Sequence, residues 1–471
     1  MPWFTLALTA GLVIWGGIVS VIIVLQRRSA AATLAWLLVL AFLPVIGLIV
    51  YRFIGPLRLE RKRVKRSVSR QAVREVLAAR ALLTDQGNEH RQLALVGIGL
   101  GESSPLRAES VELYFDGDSA YAAILAAVAA ATHHVHLEYY IWEPDRIGTE
   151  LRDALIARAR AGVQVRMIVD GTGSSGLKRR WLAPLREAGV EVAWFNPLRL
   201  RALRMRRPDF RTHRKIVVCD GRVGFTGGMN ITDFHSAARS TEYWRDTHLR
   251  VTGAAVWPLQ RLFTEDWSFA AGHICPVDES TFPAPSTAGE HLVQFLGSGP
   301  DSSAFAIHKV FFTAINQATE RLWMTTPYFV PDEALLMAIT SASLRDVDVR
   351  LIVPRRGDSR LVDLAARSYF PELLEAGVRI FEYEARFIHA KTMVCDGDVA
   401  IVGTANLDNR SFRLNFEVAG IVFGTDVSDE LARAFELDQQ GSKEILRGDM
   451  ERQSLLRRFG QASARLMSPL L

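Results

Sequence analysis

The chain has 471 residues, with 56 Lys and Arg against 51 Asp and Glu for a formal net charge of +5, and 49% of it is hydrophobic. That length exceeds what one hydrophobic core holds and suits two lobes with additions. Three cysteines, Cys219, Cys275 and Cys395, argue against a disulfide framework or a zinc site.

The first elements in chain order are apolar. Trp3–Leu25 and Ala30–Tyr51 are uncharged runs of 23 and 22 residues, each long enough for the ~20 residues of a spanning helix. They predict a transmembrane hairpin over residues 1–54, with Gln26–Ser29 as its turn and a kink at Pro44, which neighbouring helices in a bilayer tolerate. A cleaved signal peptide would need a basic leading region and a shorter apolar core. MPWFTLALTA has no basic side chain, and a second run follows at once.

A basic juxtamembrane linker is expected over 55–108. Residues 52–66 hold seven basic side chains against Glu60, whereas the turn holds Arg27 and Arg28. By the positive-inside rule both termini and everything after the hairpin face the cytoplasm. The same cluster, with LRLRALRMRRPDFR at 198–211, would attract anionic lipid at a membrane surface. Solvated surface and nucleic-acid binding are the other readings of such charge.

From residue 109 onward, strand and helix patterns alternate. Val163–Val169, Ile216–Cys219, Val349–Val353 and Val399–Val402 are short β-branched runs bounded by Gly and Asp, as buried strands are. Tyr121–Ala131, Gly148–Ala161, Phe305–Ala318 and Glu333–Ser343 have helical spacing. This pattern predicts α/β lobes with mixed sheets covered by helices. The first lobe spans 109–275 and the second 290–427, joined by a connection at 276–289. A C-terminal helical segment over 428–471, helical across Ser428–Arg458, packs on the second lobe.

One chemical phrase occurs twice, 176 residues apart. THRKIVVCDGRVGFTGGMN carries His213, Lys215, Asp220 and Asn230, and IHAKTMVCDGDVAIVGTAN carries His389, Lys391, Asp396 and Asn406. A repeat of this kind fixes architecture, and it extends beyond the motif. GVQVRMIVD (162–170) aligns with DVDVRLIVP (346–354), and DTHLRVTG from Asp246 aligns with EVAGIVFG from Glu417. The halves share a scaffold, with an active site expected between them. Cys219 and Cys395 fall at one repeat position and read as buried core thiols.

In a strand, residues i and i+2 share a face, so each His would project beside its Lys. The chain has seven lysines among 49 arginines, and two of the seven sit here, where an ammonium and a guanidinium are not interchangeable. Phosphodiester chemistry needs a nucleophile, an acid for the leaving oxygen and positive charge around the phosphoryl oxygens. One His can form a covalent phosphoryl-His while the other moves the alcohol protons. Lys215, Lys391, Asn230 and Asn406 would hold the phosphate oxygens, so neither metal nor other cofactor is expected.

The duplicated motif resembles that of the phospholipase D superfamily, and the rest of the chain resembles its bacterial cardiolipin synthases. Supporting segments include HLEYYIWEPDRIG (136–148), TTPYFVPDEAL (325–335), SFRLNFEVAG (411–420) and the terminal RLMSPLL. The resemblance implies His213 and His389 as nucleophile and acid/base and Asp220 and Asp396 as supports within the catalytic motifs. It implies Glu417, and by repeat alignment Asp246, as the carboxylates that orient the imidazoles. The Gly-Ser usual after the motif is Gly227-Gly228 in one half and Gly403-Thr404 in the other, predicting a hydroxyl contact to phosphate in the second half alone. His136 and Glu138 read as structural support. Tyr140 and Tyr328 stand open between support and site.

What the resemblance implies is a multi-pass enzyme of a bacterial cytoplasmic membrane that takes anionic phosphatidylglycerol, not nucleic acid. It would transfer a phosphatidyl group from one phosphatidylglycerol to another, giving cardiolipin and glycerol. Hydrolysis, transfer to another alcohol, a tethered nuclease and a non-enzymatic lipid-binding protein are the rival readings. Oligomeric state and the identity of the attacking His are not legible.

Overall fold

A computed structural model describes residues 2–26, 30–55, 91–197, 209–284, 289–301 and 305–471. Residues 27–29 of the expected turn, 56–66 and 198–208 of the basic runs, and 285–288 of the connection lie outside them. The N-terminal helices form one compact unit, and the described parts of 91–197 and 211–471 form another.

In the N-terminal unit the helix Pro2–Leu25 has 24 residues and no charged side chain. The second apolar run is two helices, Ala30–Phe42 and Pro44–Ile54. Pro44 starts the second of them, where its missing N–H costs no bond. Val19, Ile23, Leu40 and Tyr51 pack together, and Gln26 Nε2 donates to Tyr51 Oη at 3.0 Å. Among the described residues no helix is both long and apolar enough to cross a membrane.

In the larger unit the strands in chain order are β1 (Leu106–Ala108), β2 (Val111–Tyr114), β3 (His134–Tyr139), β4 (Gln164–Asp170), β5 (Glu191–Phe195), β6 (Ile216–Cys219), β7 (Val223–Gly227) and β8 (His248–Thr252). They continue with β9 (His291–Ser298), β10 (Arg321–Thr325), β11 (Phe329–Val330), β12 (Asp348–Pro354), β13 (Arg379–Tyr383), β14 (Thr392–Cys395), β15 (Val399–Gly403), β16 (Leu407–Asp408), β17 (Glu417–Phe423) and β18 (Ser442–Ile445). One sheet runs β2, β8, β7, β6, β3, β4, β5, and the other β1, β9, β17, β15, β14, β10, β12, β13, β18. β11 and β16 pair by themselves.

The repeat extends to register. β3, β4 and β5 are parallel and β3 is antiparallel to β6, with Val135 opposite Cys219. β10, β12 and β13 are parallel and β10 is antiparallel to β14, with Leu322 opposite Cys395. Crossover helices join the parallel strands, as that connection requires. Asp145 caps Arg146–Arg160 by accepting from Gly148 N at 3.0 Å, and Asp332 caps Glu333–Leu344 by accepting from Leu335 N at 3.1 Å. Each cap stabilises its helix by ~1 kcal/mol.

Between the sheets lies a shared core. Ile216, Val218, Leu249 and Val251 from one half meet Phe295, Val394, Val402 and Val418 from the other, with Leu262 and Phe435 added from helices. Because dense cores transmit rather than absorb displacement, this core holds the two halves in fixed register around whatever lies at its edge.

Two elements depart from expectation. The C-terminal segment is not helical throughout: Thr425–Gln440 is a helix, β18 follows and pairs with β13, and short helices Arg447–Glu451 and Leu455–Arg465 come after. SKEI carries one apolar residue, Ile445, too few for a strand signal. The open edge of β13 supplies the backbone partners, and an edge strand tolerates Lys and Glu. The linker also contributes structure to the second half, since β1 pairs with β9 and Leu93 and Ala94 of Arg91–Gly99 join its core.

Candidate active site

Both H-x-K segments precede their strands, as extended backbone leading into β6 and β14. Each is stitched to the opposite half. His213 N donates to Phe416 O at 2.8 Å and Phe416 N to Arg211 O at 2.9 Å, while His389 N donates to Arg245 O at 2.7 Å and Arg245 N to Phe387 O at 2.9 Å. The backbone delivering each histidine is therefore bonded to the backbone delivering the other half's carboxylate.

The side chains repeat the exchange. His213 Nδ1 lies 3.0 Å from Glu417 Oε1, and His389 Nδ1 lies 2.7 Å from Asp246 Oδ2. A carboxylate on Nδ1 fixes ring orientation and leaves Nε2 for chemistry. The intervening residue points the other way: Arg214 donates to the Glu417 and Ser298 carbonyls and pairs with Asp266, and Ala390 enters the shared core.

Glycine at 228 follows from this geometry. A Cβ there would collide with the Asp246 carboxylate, which instead accepts from Thr247 N at 2.7 Å. In the second half the hydroxyl of Thr404 donates to Glu417, and Val418 N donates to that hydroxyl at 3.0 Å. The Thr404 hydroxyl, expected beside the phosphate, also supports this carboxylate.

Lys215 and Lys391 are buried, and each donates to the carbonyl of its own histidine, Lys215 at 2.7 Å. Burial pushes Lys215 down to about 7 and Lys391 down to about 8, against the pull of Glu417 and Asp246 respectively. Burial also lowers both histidines, with the two ammoniums adding to the effect. Glu417 stays below the ordinary carboxylate range despite its burial, because His213 and Lys215 stand beside it. A dry site with two ammoniums beside the paired imidazoles suits an anion that brings its own charge.

Asn230 Oδ1 accepts from Ile141 N at 3.2 Å, and Asn406 Nδ2 donates to Asp408 Oδ2 at 3.2 Å, leaving Asn406 Oδ1 buried without a partner. Asp220 and Asp396 stand apart from this group at the far ends of β6 and β14. Asp220 accepts from the backbone of Thr132, His133 and His134, and Asp396 from that of Thr319, Glu320 and Arg321. Both have positive φ, at 54° and 51°, a conformation Asp adopts more readily than most residues.

His136 lies in a buried network with Gln260 and Arg166, stacked on Phe263 at 4.4 Å. Glu138 accepts from the Thr212 hydroxyl, bracing the residue before His213. Tyr140 belongs to the site: its ring lies 5.1 Å from that of His213 and 5.9 Å from Lys215 Nζ. Tyr328 donates to Asp358 at 2.7 Å.

Sequence reasoning passes over His235, Trp244 and Phe387. Trp244 and Phe387 flank His389 at 5.4 and 5.8 Å. His235 Nε2 accepts from Asn230 N at 3.2 Å, and its Nδ1 stands 3.6 Å from Asp246. Ser411 occupies the matching position in the second half and accepts from Asn406 N at 3.1 Å. His235, Asp246 and His389 bring ligand atoms within 4.8 Å of one another. A metal among them would displace the proton that joins His389 to Asp246.

Two α/β halves that share one doubled H-x-K site define a phospholipase D-like protein. The chain belongs to the cardiolipin synthase family with PLD-like domains, which matches residues 124–267 and 311–439. A phospholipase D-nuclease N-terminal family matches residues 16–56. Cardiolipin synthase 1 of Bacillus cereus is 38% identical over 96% of this chain and 92% of that protein. A cardiolipin synthase of Alkalihalophilus pseudofirmus is 39% identical over the same shares. The fold is shared with phosphatidylserine synthase of Haemophilus influenzae, at a TM-score of 0.62 and 15% identity over 81% of this chain and all of that one.

Proposed function

We propose that this chain joins two phosphatidylglycerol molecules into cardiolipin with release of glycerol. The observation that carries the reading is the convergence of His213 and His389, each held by a carboxylate from the other half, beside two buried lysines. Lys215, Lys391, Asn230 and Asn406 take the non-bridging oxygens of the first phosphatidylglycerol. Nε2 of one histidine attacks phosphorus, the P–O bond to glycerol breaks, and the other imidazole gives its proton to the departing oxygen. The second phosphatidylglycerol then enters, the same imidazole takes its hydroxyl proton, and that oxygen displaces histidine from phosphorus. Glu417 and Asp246 stabilise whichever ring is charged, while Asp220 and Asp396 hold the motif strands. A buried site favours a lipid alcohol over water as acceptor.

Purified full-length protein given phosphatidylglycerol in bilayers, with products identified by mass, tests this. Cardiolipin and glycerol are expected in equal amounts, with phosphatidic acid minor, no loss of the chemical step on chelation, and reversal by excess glycerol. Phosphatidic acid dominating at saturating substrate would return the reading to hydrolysis. Absence of cardiolipin while a DNA diester is cut would return it to a nuclease.

The uncharged runs Trp3–Leu25 and Ala30–Tyr51 and the basic residues after them support an anchor in a bacterial cytoplasmic membrane, with the catalytic halves on the cytoplasmic side. Reporters fused after Arg66 and at the C-terminus should both read cytoplasm. An external reading at either point contradicts this topology.

A further inference from the structure

The helix Leu455–Arg465 is turned inside out relative to an ordinary surface helix. Its inward side carries Gln461 and Ala464, both buried, and packs on the helix Arg360–Arg367. Leu455, Phe459, Ala462 and Leu466 follow the i, i+4, i+7, i+11 spacing of one helix face. That face points away from the protein, with Leu455 81%, Phe459 71% and Leu466 81% exposed and Leu456 beside them. Contiguous exposed apolar side chains on a soluble surface mark an interaction site. Around the stripe, residues 446–471 carry five arginines against Asp449 and Glu451. Arg458 stands on one flank of the stripe and Arg452 precedes the helix, both exposed.

This helix is tied to the candidate site by a short chain of contacts. Ser468 Oγ meets Tyr369 Oη at 2.9 Å, Asn409 Nδ2 donates to Ser468 O at 3.1 Å, and Arg410 N donates to Leu471 O at 2.8 Å. Asn409 opens a helix capped by Asp408, which accepts from the side chain of Asn406. From the apolar outward face, the arginines around it and this link to a site residue, we infer that Leu455–Arg465 lies in the surface of an anionic bilayer and seats the second half's side of the site on its lipid. An apolar stripe bordered by basic residues is the composition of an in-plane interfacial helix, and each arginine near an anionic leaflet adds attraction. The inference rests on the lipid-transfer reading above for its purpose, not for its geometry.

Cys219, Cys275 and Cys395 are buried, so a cysteine introduced by Ala462→Cys can be labelled selectively with an environment-sensitive fluorophore, with exposed Glu436→Cys as the comparison. In full-length protein reconstituted into equimolar phosphatidylcholine and phosphatidylglycerol, the label at 462 should shift to the blue and be quenched by quencher-bearing acyl chains. The label at 436 should do neither, and phosphatidylcholine alone should weaken the response at 462. A label at 462 that stays as wet as the one at 436 overturns the inference. So does one that responds only to a second labelled copy and not to lipid quenchers. The triple variant L455S/F459S/L466S should lose roughly tenfold or more in activity on bilayer phosphatidylglycerol while keeping activity on a water-dispersed short-chain form. Equal activities on the two forms count against it. If no cardiolipin forms while the label still enters the bilayer, the function reading fails and this one stands.

Discussion

His213→Ala and His389→Ala are each expected to lower cardiolipin formation by ~10³-fold or more, with the double variant scarcely slower than either single one, because groups acting as a unit lose activity non-additively. In the proposed transfer one imidazole bonds to phosphorus and the other moves two protons, so with both pairs in one buried site neither half has a spare. Since His213 and His389 have their Nδ1 partners across the interface, alanine at either also leaves a buried carboxylate without its ring. A melting curve must therefore accompany the rates. A folded single variant with a tenth or more of native turnover would mean that the halves carry separate sites.

Lys215→Met and Lys391→Met are expected to abolish most activity yet raise the melting temperature of the unliganded protein below neutral pH. Burial places Lys215 near 7 and Lys391 near 8, against an ordinary 10.5. Between those values and 10.5 the unfolded chain binds the proton and the folded chain does not, so this contribution to stability rises with pH. Below pH 7 both forms are protonated and the full cost of two buried ammoniums remains. Methionine removes that cost, so the gain should be largest near pH 6 and fade toward pH 10. The native enzyme's kcat/KM should fall as pH rises through 7 to 8, as the lysines lose the charge that binds phosphate. A variant less stable than native at pH 6, or an activity flat from pH 6 to 9, would contradict this account of the lysines.

Much of the scaffold is legible because the repeat is written in residues that also set structure. The β-branched runs of one half predict those of the other, and the matched register of Cys219 and Cys395 follows from identical spacing. Partner exchange is not legible in this way. Repeat alignment equates Asp246 with Glu417, but it is blind to whether each acts within its own half or across. That is settled by the bridges Thr212 with Phe416 and Arg245 with Ile388, which join segments far apart in sequence. The bond from Thr404 to Glu417 is not legible either: a hydroxyl beside a phosphate motif suggests a phosphate ligand, and its tie to a carboxylate thirteen residues on shows only in the fold. His235 escapes notice because it lies outside the motif and its counterpart is Ser411. β18 escapes because the open edge of β13, not its own composition, makes it a strand.

The central claim is a two-step transfer through phosphohistidine at one site shared by the halves, and stereochemistry at phosphorus tests it most directly. Phosphatidylglycerol made chiral at phosphorus with a single sulfur and given to the native enzyme should yield cardiolipin with retained configuration at the transferred centre, since two in-line displacements invert twice. Inverted configuration would mean that the acceptor hydroxyl attacks directly, and the covalent histidine and its exchanged carboxylates would have to be given up as the mechanism.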